Sequence, residues 1–355
     1  MATILAIETS CDETAAAVVS HRQVLSSVVA SQIDLHSRYG GVVPELASRE
    51  HLLTIGDTVK EALLKSQLGW TDIDAVATTC APGLVGALLV GMSVGKTLSM
   101  VHQKPFLGTH HLEGHIYAAY LEHMDLQPPF LCLLVSGGHT SLIRVDGCGQ
   151  YSVLGKTRDD AAGEAFDKVA RLLELGYPGG PIIDRLAQQG NPRAFRLPEG
   201  NISLPEGGHH PYDASFSGLK TAVLRLVERL KSEGVDPLPL ADIAASFQDA
   251  VVRALTKRAV RGAQDQDLPA IVLGGGVAAN SGLRRTLSET AATQGISVYV
   301  PSLKFCTDNA AMVACAASDH FDQGHRSSLA LGVYSRLPLE HVSELYESPD
   351  NHWRT

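Results

Sequence analysis

The chain has 355 residues, 45% hydrophobic and 19% charged, with a net charge of −9. That length suits two domains, each with a sizeable core. The acidic balance argues against a large basic surface for nucleic acid and leaves room only for a local patch. No run of about 18 apolar residues stands free of polar groups, so the pattern excludes a membrane span. The start, Met1-Ala2-Thr3-Ile4-Leu5-Ala6-Ile7-Glu8, reads as a strand and not as a signal peptide. The six cysteines, at 11, 80, 132, 148, 306 and 315, form no C-x-x-C pair and read as reduced thiols of a cytoplasmic protein.

In chain order, residues 3–9 form an apolar strand, Glu8 to Thr14 a polar turn, Ala15 to Val19 a second strand and 23–30 a third. Pro44 to Lys65 has helical spacing, with Leu46, Leu53, Val59, Ala62 and Leu63 as the expected apolar face. Asp74 to Thr79 reads as a buried strand, followed by a long apolar helix to about 102 and a short strand at 105–109. After Pro128-Pro129 the pattern restarts: strand 130–135, turn Ser136-Gly137-Gly138-His139-Thr140, returning strand 141–145. The restart lies about 125 residues after the first, too long a period for a solenoid, and points to two related α/β domains. The stretch 160–265 is mostly helical, with Asp160, Glu164, Asp167 and Arg171 on one face and a loop-rich 190–215. A strand at 270–273 enters Gly274-Gly275-Gly276, another lies at 297–300, and the last helix spans about 307–322. The expected division is 1–128, 129–335 with a helical insertion at about 160–265 and the last helix returning to the domain interface, and a loosely ordered polar tail, 336–355.

Thr109 to Tyr117 carries the most specific chemistry. His111 and His115 are four apart, which on a helix stacks two imidazoles on one face, where they can share a transition metal or simply pack. The zincin pattern H-E-x-x-H fails, because Leu112 stands where its Glu is required. Asp308, before the last helix, is either its N-cap or a third ligand. Gly274-Gly275-Gly276 between strand and helix fits phosphate binding or a tight packing contact. Ser136-Gly137-Gly138 offers backbone N–H groups to an anion. Gly95-Lys96-Thr97 ends like a P-loop, but Val90 occupies the first glycine position, so the segment reads as a packing helix. Cys11, Cys306 and the pair His209-His210 read as chemically inert.

Taken together, Ile7 to Thr14, Gly40 to Arg49, His111-Leu112-Glu113-Gly114-His115, Leu134 to Thr140, Gly163 to Lys168, Ser215 to Thr221, Gly274 to Asn280 and Cys306 to Asn309 resemble the bacterial TsaD family. The resemblance runs to about residue 335. It implies the actin-like/sugar-kinase/heat-shock-chaperone (ASKHA) architecture, α/β with two related ribonuclease-H-like domains and a helical insertion. It implies transfer of threonylcarbamoyl from threonylcarbamoyl-AMP to N6 of adenosine 37 in tRNAs reading ANN codons. The family's metal ligands fall on His111, His115 and Asp308, for one divalent metal, iron(II) favoured and zinc possible. Its substrate contacts fall on Leu134, Val135, Ser136, Gly137, Gly138, Asp167, Gly180, Asp184 and Asn280. Ala278-Ala279 departs from the Ser-Ala common in the family. Asp12 or Glu13 is the candidate base for the N6 proton. Implied partners are tRNA, a TsaB-like paralogue, a TsaE-like ATPase and a TsaC-like enzyme making the donor, with no membrane. The rivals are a kinase or ATPase of the same fold, disfavoured because the Ser136-Gly137-Gly138 turn carries no acid, and a metalloprotease, disfavoured by Leu112.

Overall fold

The computed structural model describes residues 2–347. The chain forms two compact units: one takes in residues up to Leu126, Asp146–Ser152 and the chain from Lys304 onward, the other Gln127–Val145 and Val153–Leu303.

Unit one is built on a five-stranded sheet in the order β3-β2-β1-β4-β5. Its strands are β1 (Thr3–Glu8), β2 (Glu13–Ser20), β3 (Gln23–Ser31), β4 (Ala75–Ala81) and β5 (Phe106–His110). The first three pair antiparallel, and β4 and β5 join parallel to β1. Side chains alternate across a strand, and here each face has its own cover. Leu5, Ile7, Ala16 and Val18 pack with Ile55, Val59 and Ala62 of α2 (Pro44–Ser66) and Val90 of α3 (Val85–His102). Ile4, Ala6, Ala15, Ala17 and Val19 pack with Met312 and Val313 of the last helix, Ala310–Asp322. Burying each Val or Ile in these clusters contributes about 1.5–3 kcal/mol. A short helix α1 (Ile33–Ser37) precedes α2.

Unit two repeats the plan. Its sheet has the order β10-β9-β6-β7-β8, which counted from β6 is the same 3-2-1-4-5 arrangement. The strands are β6 (Phe130–Val135), β7 (Thr140–Gly147), β8 (Gln150–Lys156), β9 (Ala270–Gly274) and β10 (Ser297–Tyr299). Again the first pair is antiparallel, and β9 and β10 run parallel to β6. Helices α5 (Ala162–Leu172), α6 (Gly179–Ala187), α7 (Ser217–Ser232), α8 (Leu240–Asp265) and α9 (Ser281–Ala292) complete it. In unit one α4 (His111–Tyr117) follows β5 directly, and α10 (Leu303–Cys306) and α11 (Ala310–Asp322) close the chain's helices.

Four expectations need correction. The last helix belongs to unit one and not to a C-terminal domain, because the second face of the β1 sheet needs an apolar cover and α11 supplies it. Strand β8 was not anticipated; its half-exposed residues give a weak alternation. The inward face of α2 is Ala47, His51, Ile55, Thr58, Val59 and Ala62, while Leu53 is 75% exposed. The tail is ordered as far as it is described: Leu339, Val342 and Leu345 are buried on a 3-10 turn, Leu339–Leu345, and residues 348–355 lie outside the described residues. Among the described residues, one helix, α3, is long and apolar enough to cross a membrane by length and composition alone, a test that a core helix also passes. It carries Lys96 and buries Ala87, Leu88, Val90, Gly91, Met92, Gly95 and Ser99.

Candidate metal centre

Helix α4 starts where β5 ends, with no loop between them. His110, the last strand residue, caps the helix: its Nδ1 accepts the Leu112 N–H at 3.2 Å and its Nε2–H donates to the Leu337 carbonyl at 3.0 Å. Burial pushes its pKa down to about 4, so it stays neutral. His111 and His115 then occupy one side of a helix that is buried throughout. Their rings meet edge to face at 4.7 Å between centroids. Asp308 reaches both: its Oδ1 lies 3.2 Å from His115 Nε2 and 3.6 Å from His111 Nε2. One ligand atom from each residue thus falls within 4.8 Å of the other two. Of the two roles open to Asp308, the capping one falls to its neighbour, since Asn309 Oδ1 accepts the Met312 N–H at 3.0 Å.

The far side of His111 is held by a residue to which the sequence reading gave no role. Glu8, at the end of β1 and wholly buried, places Oε2 3.3 Å from His111 Nδ1. Ser10 Oγ lies 3.1 Å from the same nitrogen. Glu8 itself accepts the Ser10 N–H at 2.5 Å and the Thr79 hydroxyl. Burial opposes a charge on His111, but Asp308 and Glu8 outweigh it and raise the pKa to about 9. Burial likewise opposes a charge on Glu8, and His111 outweighs it, holding the carboxyl below its ordinary value. The pocket therefore favours positive charge at His111. Nδ1 turned to a carboxylate leaves Nε2 for a metal, the arrangement that fixes ring orientation and raises ligand basicity in histidine metal sites. His115 fits the same reading: it is fully buried, yet neither ring nitrogen makes a hydrogen bond. A divalent cation among the three residues would engage His115 Nε2 and the Asp308 carboxylate that faces it.

Asp12 and Glu13 lie in the same negative field. Burial, with Asp12 and Asp308 adding to it, pushes Glu13 up to about 7. Burial also raises Asp12, with a smaller contribution from Asp308. Glu13 Oε1 accepts the Ser31 hydroxyl at 2.9 Å. Burial and the charge of Asp12 drive the Cys11 thiol well above its ordinary value, and Cys306 is fully buried, so neither is a nucleophile.

In unit two, Leu134 to Gly138 and Asn280 lie at or just beyond the C-terminal ends of β6 and β9, while Asp167 stands on α5 and Gly180 and Asp184 on α6. Leu134 and Val135 end β6 and are buried. The turn is closed by the Ser136 N–H on the His139 carbonyl (2.8 Å) and the His139 N–H on Ser136 Oγ (3.1 Å). Its Gly137 and Gly138 have open space where a side chain would stand, as do Gly180 and Gly276. Gly275 is different: its φ is +87°, and a Cβ would collide with the Val135 carbonyl. The glycine run thus joins a packing contact at Gly275 to an open cradle at Gly276. The polar members are engaged by protein groups. Asp167 accepts the Gly179 N–H at 2.7 Å, and Asp184 accepts the Ser281 hydroxyl at 2.8 Å. Asn280 caps α9 through the Leu283 N–H at 2.9 Å and donates to Gln248 at 2.8 Å.

The rival motifs resolve structurally. Gly91 and Gly95 sit inside α3, where a Cβ would strike Thr9 and Thr78, and Lys96 donates to the Leu331 carbonyl. Glu113 faces Tyr151 and His320, at 2.6 and 2.8 Å, and is not set as a zincin base. His210 organises its own loop by accepting the Asp213 N–H at 2.9 Å. Glu8 could have been found from sequence as a lone carboxylate closing a buried strand.

A family model described as TsaD, tRNA N6-adenosine threonylcarbamoyltransferase, matches residues 23–315. The chain is 67% identical over 346 residues to the tRNA N6-adenosine threonylcarbamoyltransferase of Crocosphaera subtropica, covering 98% of this chain and 100% of that one. It is likewise 67% identical over 346 residues to the protein of that name in a Picosynechococcus species, covering 98% and 97%. Among solved structures, HypF of T. kodakarensis aligns with a TM-score of 0.61 at 13% identity, over 91% of this chain and 48% of that one, a likeness of fold.

Proposed function

From the premise that this chain belongs to the TsaD family of tRNA N6-adenosine threonylcarbamoyltransferases, we propose that it moves threonylcarbamoyl from threonylcarbamoyl-AMP to N6 of adenosine 37 in tRNAs reading ANN codons. The observation that carries this reading is the convergence of His111, His115 and Asp308 around a buried imidazole with no hydrogen bond. Two imidazoles and one carboxylate with positions left open suit iron(II), and zinc second. When bound, such a cation supplies Lewis-acid polarisation and a template for oxygens of the threonylcarbamoyl group.

The chain's own residues then divide the work. The donor is a mixed anhydride with a good leaving group, and the exocyclic amine is a weak nucleophile, so the burden is positioning. The Ser136-Gly137-Gly138 turn holds the acyl-phosphate oxygens in the space its glycines leave. Asp167 and Asp184 bind ribose hydroxyls with acceptor sites beyond those they use in the protein, since a carboxylate has about four. Gly276 and Asn280 frame the adenosine. Glu13, with a pKa of about 7, or Asp12 takes the N6 proton, for which a base poised near neutrality is suited. Partners offset the acidic charge of −9 when tRNA docks: a TsaB-like paralogue and a TsaE-like ATPase in the cytoplasm, with the donor from a TsaC-like enzyme.

The test is nucleoside mass spectrometry of an unmodified ANN-reading tRNA incubated with the chain, these partners and the donor. Threonylcarbamoyladenosine forms with the wild type and not with His111→Ala. No product from either, while the same partners support another catalytic subunit, would sink the reading.

A further inference from the structure

We propose a second cation site in unit one, of zinc type, formed by Glu113, Cys148 and His320. One ligand atom from each lies within 4.8 Å of the others. The three come from α4, the β7–β8 hairpin tip and α11, all within unit one. Nothing in the reaction above uses them. Glu113 sits between His111 and His115 in sequence but turns to this second cluster.

Two features distinguish the cluster from an ordinary buried network. Glu113 is fully buried, and its Oε2 has no hydrogen-bond partner, an expensive state for a carboxylate oxygen. Around the cluster, supporting partners are already in place. Tyr151 donates to Glu113 Oε1 at 2.6 Å, and His320 Nδ1 meets His325 Nδ1 at 2.9 Å. These contacts fix the carboxylate plane and the imidazole ring, and they leave Oε2 and Nε2 to face a cation. At present a proton bridges the gap, His320 Nε2–H to Glu113 Oε1 at 2.8 Å. Metal binding replaces that proton and the thiol proton, and both leave to solvent. Cysteine sulfur, histidine nitrogen and carboxylate oxygen are each ligands that zinc accepts. Cys148 is only half-buried, so the ion can reach the site, and the fourth position is left to water. The occupied site would pin the hairpin tip to α4 and α11.

The probe is cobalt(II) added to the metal-stripped full chain, followed by zinc(II). The ligand atoms of His111, His115 and Asp308 include no sulfur, so a thiolate-to-cobalt charge-transfer band that depends on Cys148 reports the second site. Expected is a band that zinc bleaches, that persists in His111→Ala and that disappears in Cys148→Ser, with one fewer cation bound per chain. A wild type that binds cobalt without the band, or a band that survives Cys148→Ser, overturns the proposal. A second measurement needs no variant: zinc should slow alkylation of Cys148 by more than about tenfold, read by peptide mass. Alkylation at an unchanged rate under saturating zinc overturns it as well.

Discussion

The two units share one strand order and differ at the ends of their strands. In unit one the C-terminal ends of β1, β4 and β5 carry Glu8, Thr79 and His110, and the next helix brings His111 and His115. In unit two the ends of β6 and β9 run into Ser136-Gly137-Gly138 and Gly274-Gly275-Gly276. One edge is lined by buried polar side chains, with the Glu8 and Asp308 carboxylates favouring positive charge at His111. The other is bare backbone with room beside it. The same topology thus offers a ligand set in one copy and a cradle in the other, and the fold alone decides neither.

The largest effect expected from breaking the contrast is at Asp308. Asp308→Ala removes one of the candidate ligands and should lower both bound metal and threonylcarbamoyl transfer by more than about 100-fold, beyond the loss typical of a supporting partner. Retained metal at wild-type stoichiometry would refute its assignment. The Glu8 and Asp308 carboxylates also make a pH prediction for the metal-free chain. His111 is raised from 6.5 to about 9, so its contribution to stability is complete below pH 6.5 and lost as pH rises through about 9, by no more than about 3 kcal/mol. Denaturant midpoints in chelator should fall over that window, and a flat profile would contradict that effect. Next, Glu8→Gln should weaken metal binding about 10–100-fold by releasing His111 Nδ1, measured by equilibrium dialysis; unchanged affinity would reduce Glu8 to a packing role.

Unit two should respond in the opposite way. Gly275→Ala meets the Val135 carbonyl in a left-handed conformation and should cost about 1–3 kcal/mol of stability. Gly137→Ala, in open space, should change stability by less than about 0.5 kcal/mol while raising KM for the donor. A large drop in melting temperature for Gly137→Ala, or none for Gly275→Ala, would erase the distinction between packing and cradle glycines.

The restart of the strand pattern at Phe130 was legible because both copies begin with a run of apolar residues buried on both sides. The histidine pair was legible because helical spacing is local. From the residues alone Asp308 is a choice between cap and ligand, because sequence does not say that Asn309 takes the cap, and only the family resemblance names it a ligand. Glu8 passed without a role because its partners, Thr79 and His111, are brought to it by pairing of distant strands. The face of α2 is legible in part: Val59 and Ala62 are buried as their spacing predicts, while Leu53 is exposed and His51 and Thr58 turn inward, His51 because the neighbouring strand β2 offers it a polar partner in Thr14. Cys148 and His320 meet Glu113 across 35 and more residues of chain, and no local pattern announces them.

Unit one takes segments from both sides of unit two in the chain. Its sheet is complete once Phe106–His110 has been made, but α11, which covers the Ile4 and Ala6 face, is translated about 200 residues later, after the whole of unit two. At about 5–20 residues per second, that is a delay of roughly 10–40 seconds on the ribosome. Until then the face that carries Ile4, Ala6, Ala15, Ala17 and Val19 lacks the helix that covers it, and His111 and His115 lack Asp308. A chain stopped before Asp308 would lack one of the three candidate ligands, and one stopped before Ala310 would lack the helix that covers the Ile4 and Ala6 face.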